Sequence, residues 1–195
     1  MRPIWATKSL DKRLTARVLQ SCVFSGLIYG LHTIYFSAEW EHKLNAMQLR
    51  CLRRALGIQA TYAAKLTGAV AVTNKEVAEV AEVVPLSVQV QRQRWKLLGH
   101  VLRRGGDDPM RAATYDRFGQ PKCLAGTARW GRSRASWSEE VLTEVEEEMR
   151  RQGLLRGLGT GSGNINCAIA EAAQDRAAWA GWVGRWYNER DWTDF

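Results

Sequence analysis

The chain has 195 residues, of which 46% are hydrophobic, so it can bury one good core or two small ones. This composition excludes a chain that is disordered throughout. The net charge of +8 is unevenly distributed, because residues 1–110 hold 16 Lys and Arg against 8 Asp and Glu, whereas residues 111–195 hold 12 of each. A basic first part of this kind indicates a nucleic acid or an anionic membrane as partner.

The cysteines and histidines form no metal-ligand pattern. The cysteines lie far apart without a C-x-x-C pair, and the histidines do not complete a ligand set: Cys22, Cys51, Cys123, Cys167, His32, His42 and His100. We therefore predict no metal and no cofactor. Scattered free thiols without a signal peptide are typical of a reducing compartment, so the expected location is the nucleus or cytoplasm.

The first predicted helix runs from a cap at Ser9 to about Phe36. It includes most of the uncharged run Val18–Ala38, which is long enough to span a bilayer. Polar residues interrupt this run, and small residues recur every four positions, which lets another helix approach closely. Of a membrane span and a buried helix, we favour the buried helix. A second helix is predicted from Ser37 to a cap at Gly57.

The next helices are bounded by capping and breaking residues. The motif TNKE, beginning at Thr73, predicts a capping box and a short helix. Pro85 forces a break, after which a basic amphipathic helix is predicted over Leu86–Arg104. The sequence GGDDP stops that helix, and residues 106–136 are predicted to form a long loop.

The basic helix has a cationic face. Its members share an arc of about 80° on a helical wheel: Arg92, Lys96, His100 and Arg103. Such a face either contacts phosphates or is simply solvated. Gly99 lies inside the helix one turn after Trp95, where glycine costs about 1 kcal/mol relative to alanine. The missing side chain leaves room for another helix, which is the commoner use, or for a nucleic-acid backbone.

The loop is a second candidate for contact with nucleic acid. Basic residues alternate there with tryptophans: Lys122, Arg129, Trp130, Arg132, Arg134 and Trp137. This mixture suits the phosphates and unpaired bases of a single strand, although the tryptophans can instead anchor the loop to neighbouring helices. The adjacent Asp107 and Asp108 at the start of the loop indicate a solvated turn and not a metal site.

The last part of the chain is again helical. A capping box at Ser136 and Glu139 predicts an acidic helix to about Gln152, which either docks on the chain's own basic face or is solvated. The glycine-rich residues 157–163 are predicted to be a flexible linker. Asn164 or Asn166 is the predicted cap of a final helix reaching Asn188. Its tryptophans follow helical spacing and are expected in the core: Trp179, Trp182 and Trp186.

These elements predict an all-α fold. We divide it into a helical pair at 1–57, a basic helical region at 58–105, a basic and aromatic loop at 106–136, and C-terminal helices at 137–195.

Four blocks over about Leu10 to Val183 resemble one family. In order they are GLIYGLHTIYF with LNAMQLRCLRRALGI, then RWKLLGHVLRR, then RWGRSRASW, then AQDRAAWAGWV. The same order is found in non-LTR (LINE-type) retrotransposon polyproteins, after the reverse-transcriptase palm. The resemblance implies that the first helices form a thumb-like bundle beside a primer–template duplex. It implies RNA or an RNA–DNA hybrid, and the palm domain of a reverse transcriptase, as partners, and neither a membrane nor a small-molecule substrate.

The chain also departs from this family. It has no YxDD-type turn, whose paired aspartates would hold two metal ions for phosphoryl transfer, and no Cys/His knuckle. The GRSRASW block has serine where the family commonly has proline. We therefore expect a non-catalytic nucleic-acid-binding fragment and no enzyme. The alternative is a helical protein-interaction module whose basic face binds an acidic partner.

Overall fold

The structure, a computed structural model, describes residues 11–35, 37–116, 120–122, 136–155 and 162–189, without the side chains of residues 162–164. Within these residues there is no β-strand, and the one bridge joins Tyr115 to Pro121, so the all-α prediction is confirmed. The helices are α1 (Lys12–Leu19), α2 (Ser25–Ile28), α3 (Ala38–Ala55), α4 (Thr61–Thr67), α5 (Asn74–Ala81), α6 (Leu86–Arg103), α7 (Pro109–Thr114), α8 (Trp137–Arg151), α9 (Ser162–Gln174) and α10 (Arg176–Glu189). A π-helical turn, Gln20–Phe24, joins α1 to α2, and a 3-10 turn follows α2.

The described residues belong to two compact units. The first takes in those of Met1–Leu31 and Phe36–Val90, and the second those of His32–Tyr35 and Gln91–Glu189. The division falls within α6, and none of the three boundaries between the four predicted segments lies there.

Helices α1, α2, α3 and α5 supply the core of the first unit. Buried apolar side chains come from each of them and from the π-helical turn: Ala16, Phe24, Ile28, Leu52 and Val77. Helix α5 begins with the predicted capping box, because the Thr73 hydroxyl accepts from the backbone N–H of Glu76 and the Glu76 carboxylate accepts from the backbone N–H of Thr73.

Two side chains of α3 fix the start of α6. Gln48 Oε1 accepts from the backbone N–H of Leu86 at 2.9 Å, and Asn45 Oδ1 accepts from that of Ser87 at 3.0 Å. The fully buried Gln48 also donates its Nε2 to the carbonyl of Val84 at 2.9 Å. The first N–H groups of a helix have no partner within it, so these bonds satisfy donors that would otherwise be lost.

The first helix is shorter than predicted. It ends at Ile28 and not near Phe36, because Gly30 adopts a left-handed conformation with φ +80°. The predicted cap at Ser9 lies outside the described residues. Leu19 is buried on one face, but several apolar side chains of α1, α2 and the turn between them are exposed: Leu14, Val23 and Leu27. The predicted burial of this helix therefore holds for one face only.

Among the described residues, one stretch, Lys12–Thr33, is long and apolar enough to cross a membrane. Its most apolar window has a mean hydropathy of 1.3 and is 28% buried. A single stretch of this kind is weak evidence, since a core helix or an N-terminal signal sequence has the same length and composition.

Two short helices lie where the sequence predicted none. Helix α4 interrupts the connector after α3, and α7 occupies part of the predicted loop at 106–136. The Asp108 carboxylate accepts from the backbone N–H groups of Met110 and Arg111, at 3.0 and 3.3 Å. Pro109 takes the first helical position, which needs no N–H donor. Asp108 is therefore a helix cap, and the prediction of a plain solvated turn is wrong for it.

The start of α8 is where the sequence predicts it, but the predicted capping box is wrong. The Ser136 side chain accepts no hydrogen bond from the backbone N–H groups of the first turn of α8. Its hydroxyl lies 2.8 Å from that of Ser138 instead. The competing local contact between two hydroxyls replaces the reciprocal pair expected with Glu139.

The last predicted helix is two helices, α9 and α10. The break is at Asp175, whose carboxylate accepts from the backbone N–H groups of Ala177 and Ala178, both at 2.9 Å. Helix α9 begins at Ser162, so Asn164 and Asn166 lie inside it and are not its caps. Of the predicted linker, only its last two residues are described, and they are helical.

Candidate nucleic-acid interface

The cationic face of α6 lines a pocket in the second unit. Three of its residues are spaced by four and three positions, which puts them on one side of the helix. They face α10, and the two helices line an open pocket of about 420 Å³. Its lining is Lys96, His100 and Arg103 from α6, and Arg176, Trp179 and Ala180 from α10.

The lining is basic and contains no carboxylate. Lys96, Arg103 and Arg176 form no ion pair with any carboxylate among the residues that the structure describes. The nearest acidic residue along α10, Asp175, accepts the N–H groups that begin this helix. The pocket therefore presents positive charge that the described part of the chain does not neutralise.

Lys96 and Arg103 each lie near another cation, which disfavours their charged form. Partial burial lowers the pKa of the Lys96 ammonium from its ordinary value, and the neighbouring Arg92 lowers it further. Burial also lowers the pKa of the Arg103 guanidinium, with Arg176 as the second cause. Both groups are charged while partly withdrawn from water and next to another cation. A bound anion would offset both costs.

Hydrogen bonds hold two of these side chains in position. Arg103 donates Nη1 to the carbonyl of Ala173 at 2.8 Å, which ties α6 to α9. His100 Nε2 lies 3.2 and 2.9 Å from the Nε and Nη2 atoms of Arg104, the residue that follows α6. Because arginine only donates, Nε2 is the acceptor of this contact.

Gly99 shapes the wall of the pocket. A Cβ atom at this position would lie 2.4 Å from Nε1 and 2.6 Å from Cδ1 of Trp179. The indole ring occupies the space that any other residue would fill, and its Nε1 donates to the backbone carbonyl of Trp95 at 3.0 Å. Of the two predicted uses of this glycine, the structure shows the first: another helix, α10, approaches α6 closely at Gly99.

The tryptophans of α10 pack against α6. Trp95 stacks on Trp182 with ring centroids 5.1 Å apart and lies 4.1 Å from Trp186. Trp179, Trp182 and Trp186 are each no more than 5% exposed, so the prediction that they belong to the core is confirmed. Aromatic packing of this kind holds the two walls of the pocket in a fixed relation.

The acidic helix α8 docks on another side of α6. Arg94, 1% exposed, pairs with Glu140 and lies 3.3 Å from a carboxylate oxygen of Glu144. Glu144 also accepts from the Trp95 indole N–H at 3.0 Å. The acidic helix therefore docks on α6 through Arg94, which is not a residue of the predicted cationic face. Neither predicted alternative, docking on that face or a solvated helix, describes this contact, and the face remains open.

The other predicted contact residues do not join the pocket. The Arg92 guanidinium lies over the ring of Tyr187, 4.1 Å from its centroid. Lys122 is exposed and donates its Nζ to the carbonyl of Ala112 at 2.7 Å. Trp137 donates its indole N–H to the carbonyl of His32 at 2.7 Å, which is the anchoring role considered for it. The rest of the predicted loop cluster lies outside the described residues: Arg129, Trp130, Arg132 and Arg134.

Arg176 is the pocket residue that sequence reasoning did not select. It stands three residues before Trp179, inside the block AQDRAAWAGWV. Helical spacing puts it near Trp179 and Ala180 on α10, but spacing cannot tell which face of which other helix it meets.

Within the described residues, no group of three or more His, Cys, Asp or Glu is arranged to hold a metal ion. No protein-family model, curated protein or solved structure matches this chain. The resemblance to retrotransposon polyproteins therefore depends on the four sequence blocks.

Proposed function

We propose that this chain is a non-catalytic nucleic-acid-binding fragment, related to the thumb and C-terminal region of a non-LTR retrotransposon reverse transcriptase, that contacts primer–template or element RNA. The observation that carries the proposal is the basic pocket between α6 and α10. Its cations have no carboxylate partner among the described residues, and phosphate oxygens are the acceptors that such a set of donors recognises.

The four sequence blocks support the same proposal from another direction. Two of them, RWKLLGHVLRR and AQDRAAWAGWV, contain the residues that line the pocket. The proposed partners are RNA or an RNA–DNA hybrid and the palm domain of a reverse transcriptase, in the nucleus or cytoplasm. We propose no catalytic role for the chain, since its sequence contains no YxDD-type turn.

Salt dependence tests the proposal. Fluorescence anisotropy with labelled single-stranded RNA and with an RNA–DNA duplex gives the slope of log K against log salt. Each phosphate contact contributes about 0.7 to this slope on single strands and about 0.9 on a B-form duplex. Replacing Lys96 and Arg176 by glutamine should flatten the slope by about 1.4 on single strands if each contacts one phosphate.

A matched variant controls for the loss of two charges. Arg150 and Arg151 are on α8, where each pairs with a carboxylate of the same helix. Replacing both by glutamine should leave the slope unchanged, because neither residue lines the pocket.

Two results would count against the proposal. Binding to neither nucleic acid would remove it and favour the protein-interaction module. Salt-dependent binding with the same slope in wild type and in the Lys96 and Arg176 variant would show that the pocket is not the contact.

A further inference from the structure

The pocket between α6 and α10 is small, and its charged side chains are all hydrogen-bond donors. Its volume of about 420 Å³ is near the lower end of ligand pockets, which run from about 300 to 1,000 Å³. A phosphate group with what is directly attached to it fits inside this volume, whereas the rest of a strand would lie across the open side of the pocket.

The donors favour a phosphate with several free oxygens. Lys96 carries three N–H groups, and Arg176 carries five. Arg103 commits Nη1 to the carbonyl of Ala173 and keeps its other N–H groups. A phosphate monoester has three terminal oxygens and no need to donate, whereas a diester within a strand has two.

The charge of the pocket distinguishes the same two ligands. A monoester carries a charge of about −1.5 to −2 at neutral pH, because its second pKa is about 6. A diester carries −1. Three cations without a carboxylate in the lining match the doubly charged group better, and Arg103 and Arg176 line the same pocket from α6 and α10.

The aromatic wall cannot take part in stacking on a base. Trp179 is almost fully buried, and its indole N–H already donates to the carbonyl of Trp95. Recognition in this pocket would therefore depend on the phosphate and not on the identity of the base.

We infer that the pocket lined by Lys96, Arg103 and Arg176 binds the terminal phosphate monoester of a nucleic-acid strand. The inference rests on the proposed function, and it names the part of the nucleic acid that the site takes. A 5′ and a 3′ phosphate share this chemistry, and the measurement separates them.

Short RNA oligonucleotides of one sequence test this inference, with a 5′ phosphate, a 3′ phosphate or neither. Anisotropy titrations at one salt concentration should give an affinity about tenfold higher for at least one phosphorylated end than for the unphosphorylated strand. Inorganic phosphate should reduce this difference by competing for the pocket. A second sequence should give the same ratio, since the base is not read.

Two variants assign the ratio to the pocket. Lys96→Gln combined with Arg176→Gln should bring it close to one by removing charge. Ala180→Leu keeps every charge but fills part of the cavity from an exposed position on α10, so it should also lower the ratio. Unfolding midpoints identify any variant that has not folded, and the Arg150 and Arg151 variant should keep the wild-type ratio.

Equal affinity for all three oligonucleotides, with a salt dependence that the pocket variant still flattens, would overturn the terminal-phosphate inference and leave the proposed function standing. A ratio that is unchanged in both pocket variants would overturn it as well. Failure to bind any RNA would remove the proposed function and this inference together.

Discussion

The indole of Trp179 lies on the backbone of α6 at Gly99. A Cβ at position 99 would be 2.4 Å from Nε1 of the ring, and no ordinary contact is that short. The ring is held there by its hydrogen bond to the carbonyl of Trp95, so it has no cheap way to move. A glycine that weakens the helix locally is thus what allows α10 to pack against α6.

Gly99→Ala should therefore destabilise the protein. Alanine gains about 0.5–1 kcal/mol from helix propensity, but the displaced indole should cost about 1–3 kcal/mol. We expect a net loss in the free energy of unfolding, measured by urea denaturation, together with a change in tryptophan fluorescence.

Gly181→Ala is the matched control, because a Cβ there has no atom within 4 Å and the residue is exposed on α10. It should stabilise by up to about 1 kcal/mol. Equal stabilisation by both substitutions would contradict the role assigned to Gly99.

The helices that the sequence predicted well have strong local signals at both ends. Helix α3 begins after Ser37 and ends before Gly57, and α6 begins after Pro85. The missed helix α7 also had a signal, since an aspartate followed by proline is a good N-cap and first position. An interpretation of Asp108 and Pro109 as breaking residues only leaves this signal out. Helix α4 is short and mostly exposed, so no apolar periodicity marked it.

The sequence predicts only part of the candidate site. Lys96, His100 and Arg103 share a face of one helix, and this follows from spacing alone. Arg176 joins them through packing between residues more than 70 positions apart, which no local pattern encodes. Gly99 indicated a close approach, but not by which helix. The helical spacing of the tryptophans on α10 predicted that they are buried, but it did not indicate that they pack against Trp95.

The basic and aromatic residues of the predicted loop lead to a separate prediction about the binding of single-stranded RNA. Replacing Arg129, Arg132 and Arg134 by alanine should flatten the salt slope by up to about 2 if each contacts one phosphate. Trp130→Ala should instead weaken binding by about 1–3 kcal/mol with little change of slope, because stacking releases no counterions. Anisotropy on unpaired RNA measures both. Unchanged affinity and slope in both the triple arginine variant and Trp130→Ala would exclude the loop as a contact.

Replacement of Gln48 tests whether its side chain stabilises the N-terminus of α6. Gln48→Leu keeps the size of the side chain but leaves the buried N–H of Leu86 without its acceptor. Such an unsatisfied group costs about 1–3 kcal/mol, and we expect a loss of this order in urea denaturation. Gln59→Leu, at an exposed position, should change stability by less than about 0.5 kcal/mol. Faster hydrogen exchange at the Leu86 amide should accompany the loss.

Replacement of the buried Arg94 should lower the free energy of unfolding far more than replacement of the exposed Arg104. Arg94→Ala removes the partner of Glu140 and Glu144 and should cost about 3 kcal/mol or more. Arg104→Ala, which breaks a pair with Asp108 at the surface, should cost no more than about 1 kcal/mol. Chemical denaturation of both variants measures the difference. Similar small losses would mean that α8 is not held by Arg94.

Tyr115 should make stability fall in alkali. Burial raises the pKa of its phenol well above the ordinary value, although the charge of Arg94 opposes the shift, and the phenol donates to the carbonyl of Ser138 at 3.2 Å. Above the unfolded pKa of about 10, the unfolded chain releases a proton that the folded chain keeps, so stability decreases as pH rises.

At about pH 11 this one group should have cost about 1.4 kcal/mol relative to neutral pH, and Tyr115→Phe should remove that part of the loss. Tyr187, whose pKa burial also raises, should still contribute in that variant. Tyr62→Phe, which alters an exposed tyrosine, should follow the wild type. Denaturation curves at about pH 8 and about pH 11 give the two stabilities for each protein. If the wild type and Tyr115→Phe lost the same amount, the phenol of Tyr115 would have to ionise in the folded protein as readily as in the unfolded chain.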